Sequence, residues 1–488
     1  MQNQVYFLNP DLTLIITISV SAIFAIIGIA YSKKYKGLEN YLTANRSIGA
    51  MSLTTSLVAS ALGAWIFFGP ASAATWGGIG SIIGYSFGTA FPMIALIFLG
   101  TKLRKMFPKG RTLTEFVKKK FGKEFFKLIL ILMIFYMFIF LCAEITAISM
   151  LVNYISGTAL WITAFFVIVT TLTNTLYGGL RASILTDNFQ FIIILLFFFI
   201  FVVNIFLLNE NTISLDLIKN NSSHLISRNF LPNYTAGLTF FIAVAATNLF
   251  HQGNWQRVFA AKNEKILKQS LVASFFIIIP IVFFMGFSGL IAVSINDRVN
   301  PDLAFFSILL NEDAVFLSVL VVIMALSLTI STLDTLVNAI SSLVIVEGKK
   351  FFINHSNESL LKLSNLFLVI LSLIAFFVAS KGYSILYLFL LADLFCCAAV
   401  FTVFNGLYSR NVKEKNSFIS ILLGLVLGLL FFPSPDFSQS ILVGFILTSE
   451  LFPQIISNYL LFWSFLLATL VPAVVIIGYD SFKRRYPN

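Results

Sequence analysis

The chain has 488 residues, of which 58% are hydrophobic and 11% charged, with a formal net charge of +11. Soluble domains carry about a quarter charged residues, so this composition excludes most water-soluble classes. The three cysteines all lie in apolar runs, and the three histidines are scattered. The sequence therefore predicts neither a disulfide framework nor a zinc or iron site.

Apolar runs of about 20 residues recur from end to end, and each can cross a bilayer as a helix. They are continuous rather than alternating, which favours helices over a barrel. The first run follows a stretch without Lys or Arg, so we interpret it as a retained span rather than a cleaved signal peptide. We predict an all-α integral membrane protein, one transporter domain over 1–488, with about 13 spans near 12–31, 48–72, 79–101, 128–152, 159–177, 184–208, 235–250, 270–294, 313–346, 362–380, 384–404, 417–432 and 459–479.

Basic residues are distributed unequally between the loops of this arrangement. With the N-terminus outside, 28 of the 32 Lys and Arg residues fall in inside segments, and four remain outside: Lys219, Arg228, Arg298 and Lys381. Positively charged loops stay cytoplasmic, so the pattern predicts a multi-pass protein of the cytoplasmic (inner) membrane, with its N-terminus outside and its C-terminus inside. The net charge is then an orientation signal in a lipid bilayer, and it requires no nucleic-acid partner.

The second span is crowded with small residues and contains a Gly69-Pro70 pair. Glycine and proline interrupt helices, and broken backbone at membrane depth is tolerated only where it lines a cavity or is buried in protein. Carbonyl groups freed at such a break are cation ligands in transporters built from inverted repeats. Close packing of small residues against neighbouring helices is the alternative interpretation.

Four carboxylates lie within predicted spans: Glu144, Asp187, Asp334 and Asp393. Ionisable residues are rare and costly at membrane depth, so each is a functional candidate. The predicted spans place no Lys or Arg deep in the membrane to pair with them, although Arg181 lies near Asp187 in sequence. Carboxylates without a basic partner require a proton or a metal cation, which indicates ion coupling.

Polar residues of the ninth span follow one face of a helix. They lie at i, i+4, i+7, i+8, i+11 and i+15: Ser327, Ser331, Asp334, Thr335, Asn338 and Ser342. Hydroxyl and carboxylate oxygens are ligands that suit a small alkali cation. Single Ser and Thr residues commonly pack helices together and bond to their own backbone. Six polar positions on one stripe, with an aspartate among them, favour a cation site.

Five segments, taken in their order along the chain, carry a resemblance to a known family. They read YLTANRS (Tyr41–Ser47), TLTEFVKKKFG (Thr112–Gly122), YGGLRASILTDNFQ (Tyr177–Gln190), QRVFAAK (Gln256–Lys262) and STLD (Ser331–Asp334). Spread across 13 spans, they make the chain resemble the sodium:solute symporter family. Members of that family transport proline, sugars, sialic acid, pantothenate, monocarboxylates and urea.

The resemblance implies a fold similar to that of the leucine transporter, with two inverted repeats of five helices. The first repeat would cover 48–208 and the second 235–404, with one extra N-terminal span (12–31) and two extra C-terminal spans (417–479). The short seventh span would be the broken helix of the second repeat, the counterpart of the broken second span.

The resemblance also implies a sodium site that joins the broken second span to the polar stripe. Its ligands would be main-chain carbonyls and side-chain hydroxyls of five residues: Ala59, Leu62, Leu328, Ser331 and Thr332. The first three would contribute carbonyls and the last two hydroxyls.

Some relatives hold a second sodium near an aspartate of the sixth span. The matching residues here are Asp187 with Ser331, Asp334 and Thr335. Asp334 stands where relatives carry a hydroxyl, so either a second cation or a proton at this site is consistent with the sequence.

The solute should bind near the midplane, between spans two, four, seven and eleven. Ala61 stands where proline-type relatives carry an acidic residue, so a proline-like site is not implied. The candidate solute-binding residues are Ser56, Trp65, Phe68, Glu144, Thr247, Asn248 and Asp393.

These observations predict a sodium-coupled symporter that imports a small organic solute, such as an amino acid, urea or a monocarboxylate, by alternating access. Proton coupling is the nearest alternative. A channel or sensor is less favoured, because the chain ends shortly after Lys483–Arg485. An enzyme is not predicted, because the sequence offers no nucleophile–base pair, metal cluster or phosphate loop. No obligate protein partner is evident.

Overall fold

The computed structural model describes residues 6–32, 37–205, 215–310, 314–351, 357–409, 412–435, 437, 439–442, 456 and 458–485. Within these ranges the chain is almost entirely helical, and its β structure is limited to isolated bridges. A 3-10 turn, Ala64–Phe67, connects α3 to α4. The helices are α1 (Pro10–Ser32), α2 (Leu38–Thr43), α3 (Ala50–Ala61), α4 (Gly69–Met106), α5 (Leu113–Phe121), α6 (Lys123–Ser156), α7 (Leu160–Val203), α8 (Leu215–Asn221), α9 (Leu231–Phe250), α10 (Gln252–Ala260), α11 (Glu264–Ile295), α12 (Ala304–Leu309), α13 (Val315–Phe351), α14 (Asn357–Ala379), α15 (Ile385–Asn405), α16 (Glu414–Phe431) and α17 (Leu460–Arg485).

The helices follow the predicted spans. In the described part of the chain, 10 stretches are long and apolar enough to cross a membrane. Three further predicted spans correspond to α3, to the first half of α7 and to α9, which are shorter or more polar. Helix α7 contains two predicted spans, which are separated at Gly179, where φ is 57°. The predicted all-α membrane architecture is therefore confirmed, while the span ends at 208 and 313 lie outside the described residues.

The second predicted span is broken, but the break does not fall at Gly69-Pro70. Helix α3 ends before Leu62 (φ −106°, ψ 99°) and Gly63 (φ −96°, ψ −175°), which are extended. Pro70 lies in the first turn of α4, where its missing N–H costs little because the first N–H groups of a helix have no intrahelical acceptor. A bend at Gly78 (φ 60°) then separates this span from the next.

The second broken helix consists of α9 and α10. They are separated at His251, whose backbone is extended (φ −66°, ψ 114°). We expected residues 251–269 to form an inside loop, but Gln252–Ala260 is a helix whose nine residues are all buried. Each broken helix is the first helix of a predicted five-helix repeat. The boundaries of those repeats stay a prediction.

Two groups of helices surround the breaks. In the first group, α4 packs against α9 and α11, and α11 packs against α3. In the second group, α13 packs against α6, α7 and α14. Helix α3 also contacts α7 and α13, so the first break lies between the two groups.

Glycines bring α4 and α9 into backbone contact. A Cβ at Gly84 would lie 2.1 Å from the carbonyl oxygen of Gly237, and one at Gly80 would lie 1.7 Å from that of Asn233. Small residues at four-residue spacing allow helices to approach closely within a membrane, where packing rather than hydrophobicity drives association.

We expect Gly84→Ala to lower the free energy of unfolding by about 1–3 kcal/mol, because the added methyl group must push α4 away from α9. Thermal unfolding of the purified protein measures this effect. Gly478→Ala on α17 is the matched control, since a Cβ there meets nothing within 4 Å. Equal melting temperatures for the two variants would contradict the close α4–α9 contact.

Candidate functional site

A small cavity lies beside the two helix breaks. Its volume is about 30 Å³. Both broken helices contribute to its wall, together with α4, α6, α13 and α15. The lining residues are Ser60, Ala61, Trp65, Tyr85, Phe140, Val244, Thr247, Asn248, His251, Thr332, Phe389 and Asp393. We call this space the central cavity.

Four of the seven candidate solute-binding residues line the central cavity: Trp65, Thr247, Asn248 and Asp393. The other three are buried but lie elsewhere. Ser56 belongs to a polar network behind α3, the Phe68 ring packs against Phe306, and Glu144 contacts the break itself. Several residues that line the central cavity, such as Tyr85, were not predicted from the sequence. Aromatic residues at helical spacing resemble ordinary core residues.

Asp393 supplies the charge of the central cavity. Its Oδ1 accepts a hydrogen bond of 2.6 Å from the Thr247 hydroxyl, and the residue is only 5% exposed. Among the described residues that line the cavity, there is no other carboxylate and no Lys or Arg. His251 accepts a hydrogen bond from the Gly253 N–H through Nδ1, which leaves Nε2 as the position for the proton of a neutral ring.

Aromatic rings continue from the central cavity along α4. Trp65 and Tyr85 stack with ring centroids 5.8 Å apart, and Tyr85 stacks on Phe240 at 4.4 Å. Phe240 also contacts Trp76 at 5.8 Å. These four rings form an aromatic column that reaches a second, larger space.

That space, which we call the vestibule, has a volume of about 510 Å³. Trp76 and Ser72 line it, and the Ser72 hydroxyl donates to Asp302 Oδ1 at 3.3 Å. Among the described residues of its wall, Asp302 alone is charged. Partial burial raises the pKa of the Asp302 carboxyl above its ordinary value, and the Ser72 hydrogen bond opposes that change.

The opposite end of the bundle is closed by hydrogen bonds. Gln252 at the start of α10 accepts from the Leu113 N–H at 3.1 Å, which ties α10 to α5. Arg104 donates to the carbonyl oxygens of Val258 and Ala261 at 3.0 and 2.9 Å. These contacts hold α10 against the ends of α4 and α5, so the structure is open at the vestibule and closed at the α5 end.

Glu144 stabilises the first break. Its Oε2 accepts a 2.9 Å hydrogen bond from the Ala64 N–H, at the start of the 3-10 turn, where a helical segment has unpaired N–H groups and positive dipole charge. A Cβ at Gly63 would lie 2.0 Å from Glu144 Oε1, so glycine is required there for close approach. Glu144 is therefore placed to hold the break open rather than to line the central cavity.

The predicted sodium ligands flank this break. Among the described residues, none donates a hydrogen bond to the carbonyl oxygens of Ala59 and Leu62. Thr332 Oγ1 faces the central cavity, and it is buried with no hydrogen-bond partner in the described part of the chain. Leu328 and Ser331 precede it on α13, which packs against α3. Buried oxygen atoms without partners cost free energy, and a bound cation would remove that cost.

Ser331 takes part in a separate polar network around Asp187. Asp187 Oδ1 accepts from Ser331 Oγ at 2.6 Å, and Oδ2 accepts from Ser56 Oγ at 2.5 Å. The guanidinium of Arg257 donates to Asp187 Oδ2 and to Thr335 Oγ1, both at 2.9 Å, and to Ser56 Oγ at 2.7 Å. Arg257 and Asp187 are 0% exposed, so they form a fully buried ion pair.

The expectation that no basic side chain would lie deep in the protein to pair with the carboxylates was therefore wrong. From the sequence we expected Arg257 in the inside segment 251–269, because this segment lies between two predicted spans and has no long apolar run. Arg181, which lies near Asp187 in sequence, instead donates to Ser47 Oγ at 2.9 Å. Asp334 is also buried on α13.

The relatives of this chain are transporters. The model of the sodium:solute symporter family matches residues 41–424. The spermidine transporter DUR31 of Candida albicans is 29% identical over 411 residues, which cover 82% of this chain and 76% of that protein. The sodium/glucose cotransporter 4 of Mus musculus is 23% identical over 440 residues, which cover 80% and 64% of the two chains.

A solved structure supports the fold. A Na⁺-coupled sialic acid symporter in a substrate-bound outward-open state matches with a TM-score of 0.74 at 14% identity, covering 96% of this chain and 97% of that one. The predicted all-α fold of the leucine-transporter type is thereby confirmed. At this level of identity the match concerns the fold alone.

Proposed function

Because the chain belongs to the sodium:solute symporter family, we propose that it imports a small organic solute across the cytoplasmic membrane together with Na⁺. The relatives transport small solutes, and this supports a small organic solute for this chain. Those relatives include a spermidine transporter and a sodium/glucose cotransporter, and a Na⁺-coupled sialic acid symporter has a similar fold. We place the solute in the central cavity and the vestibule on the external side.

The unpartnered oxygen of Thr332 is the observation that carries the proposal of sodium coupling. It lies on the helix that packs against α3, where the carbonyls of Ala59 and Leu62 are free of hydrogen bonds from the described residues. With Leu328 and Ser331 these groups would supply a ligand set made of oxygens, which hard cations prefer. Sodium bound there would connect α3 to α13.

That connection would couple the ion to the conformation. A ligand shifts a conformational equilibrium only if it binds the two states with different affinity. Sodium that bridges α3 and α13 would bind best while the two helices stand together, with the α5 end closed and the vestibule open. Solute binding would then close the vestibule, and low internal sodium would favour release inside.

We propose one sodium per cycle. The sequence analysis allowed either a second cation or a proton near Asp187, Asp334 and Thr335, and the contacts of Arg257 argue against the cation. Arg257 already donates to Asp187 and Thr335, so a positive charge is present there without an ion. A second cation would have to bind beside a buried guanidinium, which like-charge repulsion disfavours.

Proton coupling is the second candidate function. Asp334 and Asp393 are buried carboxylates on helices that cross the membrane, and carboxylates at membrane depth form the proton relays of many pumps and transporters. In that case the transmembrane proton gradient would replace the sodium gradient.

We expect purified wild-type protein in proteoliposomes to accumulate solute when NaCl is outside, and not when KCl replaces it. A panel of amines, sugars, amino acids and monocarboxylates would be tested at fixed pH, and a sodium titration of the active solute should fit one ion. The control imposes an inward proton gradient without sodium. Uptake driven by that gradient alone would establish proton coupling and overturn the proposal.

A further inference from the structure

The charges that face the solute path have one sign. Asp302 is the charged residue of the vestibule and Asp393 that of the central cavity, among the described residues that line the two spaces. No Lys or Arg belongs to either described wall. Since a path of one sign concentrates ligands of the opposite sign, this arrangement disfavours anionic solutes and favours cations.

The free-energy cost of burying the Asp393 carboxylate is only partly offset by its hydrogen bonding. Among the described residues, its carboxylate accepts a hydrogen bond from one hydroxyl, that of Thr247, at 2.6 Å. The neighbouring network differs, because there Asp187 receives two hydroxyls and a guanidinium. Burying a carboxylate costs several kcal/mol unless it is paired with a cation and hydrogen-bonded. Asp393 therefore has capacity for a positively charged ligand, and Asp187 does not.

The walls of the path suit an organic cation. Trp65 and Tyr85 line the central cavity with Asp393, and Trp76 lines the vestibule with Asp302. Ring faces attract ammonium groups, and this attraction is stronger where the cation has lost its water. The aromatic column joins the two carboxylates by a continuous series of rings.

We propose that the solute is an organic amine that binds as an ammonium ion, with its charged nitrogen on Asp393 and its carbon chain against Trp65 and Tyr85. This inference rests on the proposed function and names the chemical class of its solute. Asp302 attracts the cation into the vestibule. The central cavity, at about 30 Å³, accommodates an ammonium head group in the present conformation, and longer chains extend toward the vestibule.

Four compounds with the same four-carbon chain test the charge requirement: 1,4-diaminobutane, 4-amino-1-butanol, 1,4-butanediol and 4-aminobutyrate. Wild-type protein in NaCl should be stabilised against thermal unfolding by the two amines, because a ligand of the folded state raises its stability. The uncharged diol and the carboxylate-bearing 4-aminobutyrate should bind at least about tenfold more weakly, since an unmatched buried charge is costly. Binding of either as tightly as the amines, or no stabilisation by any of the four, overturns the inference.

Asp393→Asn should weaken amine binding by about tenfold or more, as expected for loss of a charged hydrogen-bond partner. The control is Asp297→Asn, which removes an exposed carboxylate of the loop after α11. Equal amine affinity in the two variants would contradict the role of Asp393. If Asp393→Asn does not fold, the wild-type series still decides the question.

The proteoliposome assay separates this inference from the proposed function. Sodium-driven uptake of a neutral or anionic solute, with no uptake of amines, would overturn the inference and leave the symport function intact. Binding of amines that follows the predicted order, without sodium-driven uptake of any solute, would overturn the symport function and leave the inference intact.

Discussion

Arg257→Met is expected to destabilise the protein by about 3–5 kcal/mol and to abolish solute uptake, because the substitution leaves the buried Asp187 carboxylate without its cation. The pair is 0% exposed on both sides, so water cannot replace the lost partner. The guanidinium also donates to Ser56 on α3 and Thr335 on α13. Its removal therefore breaks hydrogen bonds from α10 to both helices that hold the proposed sodium site.

Thermal unfolding and uptake in proteoliposomes measure the two effects. Arg298→Met is the matched control, because Arg298 is exposed in the loop after α11 and its loss should change stability by no more than about 0.5 kcal/mol. The double variant Arg257→Met, Asp187→Leu should be more stable than Arg257→Met, since it no longer buries an unpaired charge. It should still fail to transport. Wild-type stability in the single variant would show that the ion pair is not important for the fold.

The span positions could be predicted because they depend on one strong signal. A helix in lipid must satisfy its own backbone and present apolar side chains, so its length and composition are visible in the sequence. The family resemblance implied the broken seventh span, whereas reasoning from the residues predicted the broken second span from its small residues. It misplaced the first break, because Pro70 marks the start of a helix as readily as an interruption.

Arg257 could not be predicted from the sequence because its environment depends on three distant segments. Its partners lie on α3, α7 and α13, at separations of 201, 70 and 78 residues. The chain around it has no long apolar run, and this is also typical of a cytoplasmic loop. The nearest available signal was the QRVFAAK segment itself, which the family resemblance included without assigning a role to its arginine.

The solute path shows the same limit. The sequence identified Asp393 as a functional candidate, because a carboxylate within a span carries a charge that is costly at membrane depth. Its counterpart Asp302 lies in a loop that we predict to be outside, where a carboxylate is ordinary. Their common path becomes apparent only when the aromatic column connects the two spaces.

The largest effect on ion dependence is expected for the double variant Ser331→Ala, Thr332→Ala. Thr332 Oγ1 has no partner among the described residues, so its loss removes a proposed ligand without breaking an internal hydrogen bond. Ser331 Oγ bonds Asp187 at 2.6 Å, so its loss weakens a network as well as the proposed site. Each lost oxygen should cost about 1 kcal/mol or more, and together they should raise the sodium concentration for half-maximal uptake at least about tenfold.

Three comparisons make this result specific to the ion. Thr332→Ser keeps the hydroxyl and should retain most of the sodium affinity. Ser327→Ala is the matched control on the same helix face, because Ser327 Oγ bonds back to the Ile323 carbonyl at 2.8 Å and supplies no free oxygen. Amine binding in KCl, measured in the wild type and the double variant, separates an effect on the ion from an effect on the solute, because Thr332 lines the central cavity together with Asp393. An unchanged sodium dependence in the double variant would mean that the coupling ion binds elsewhere, and Asp393 or Asp334 would then be the residues to test.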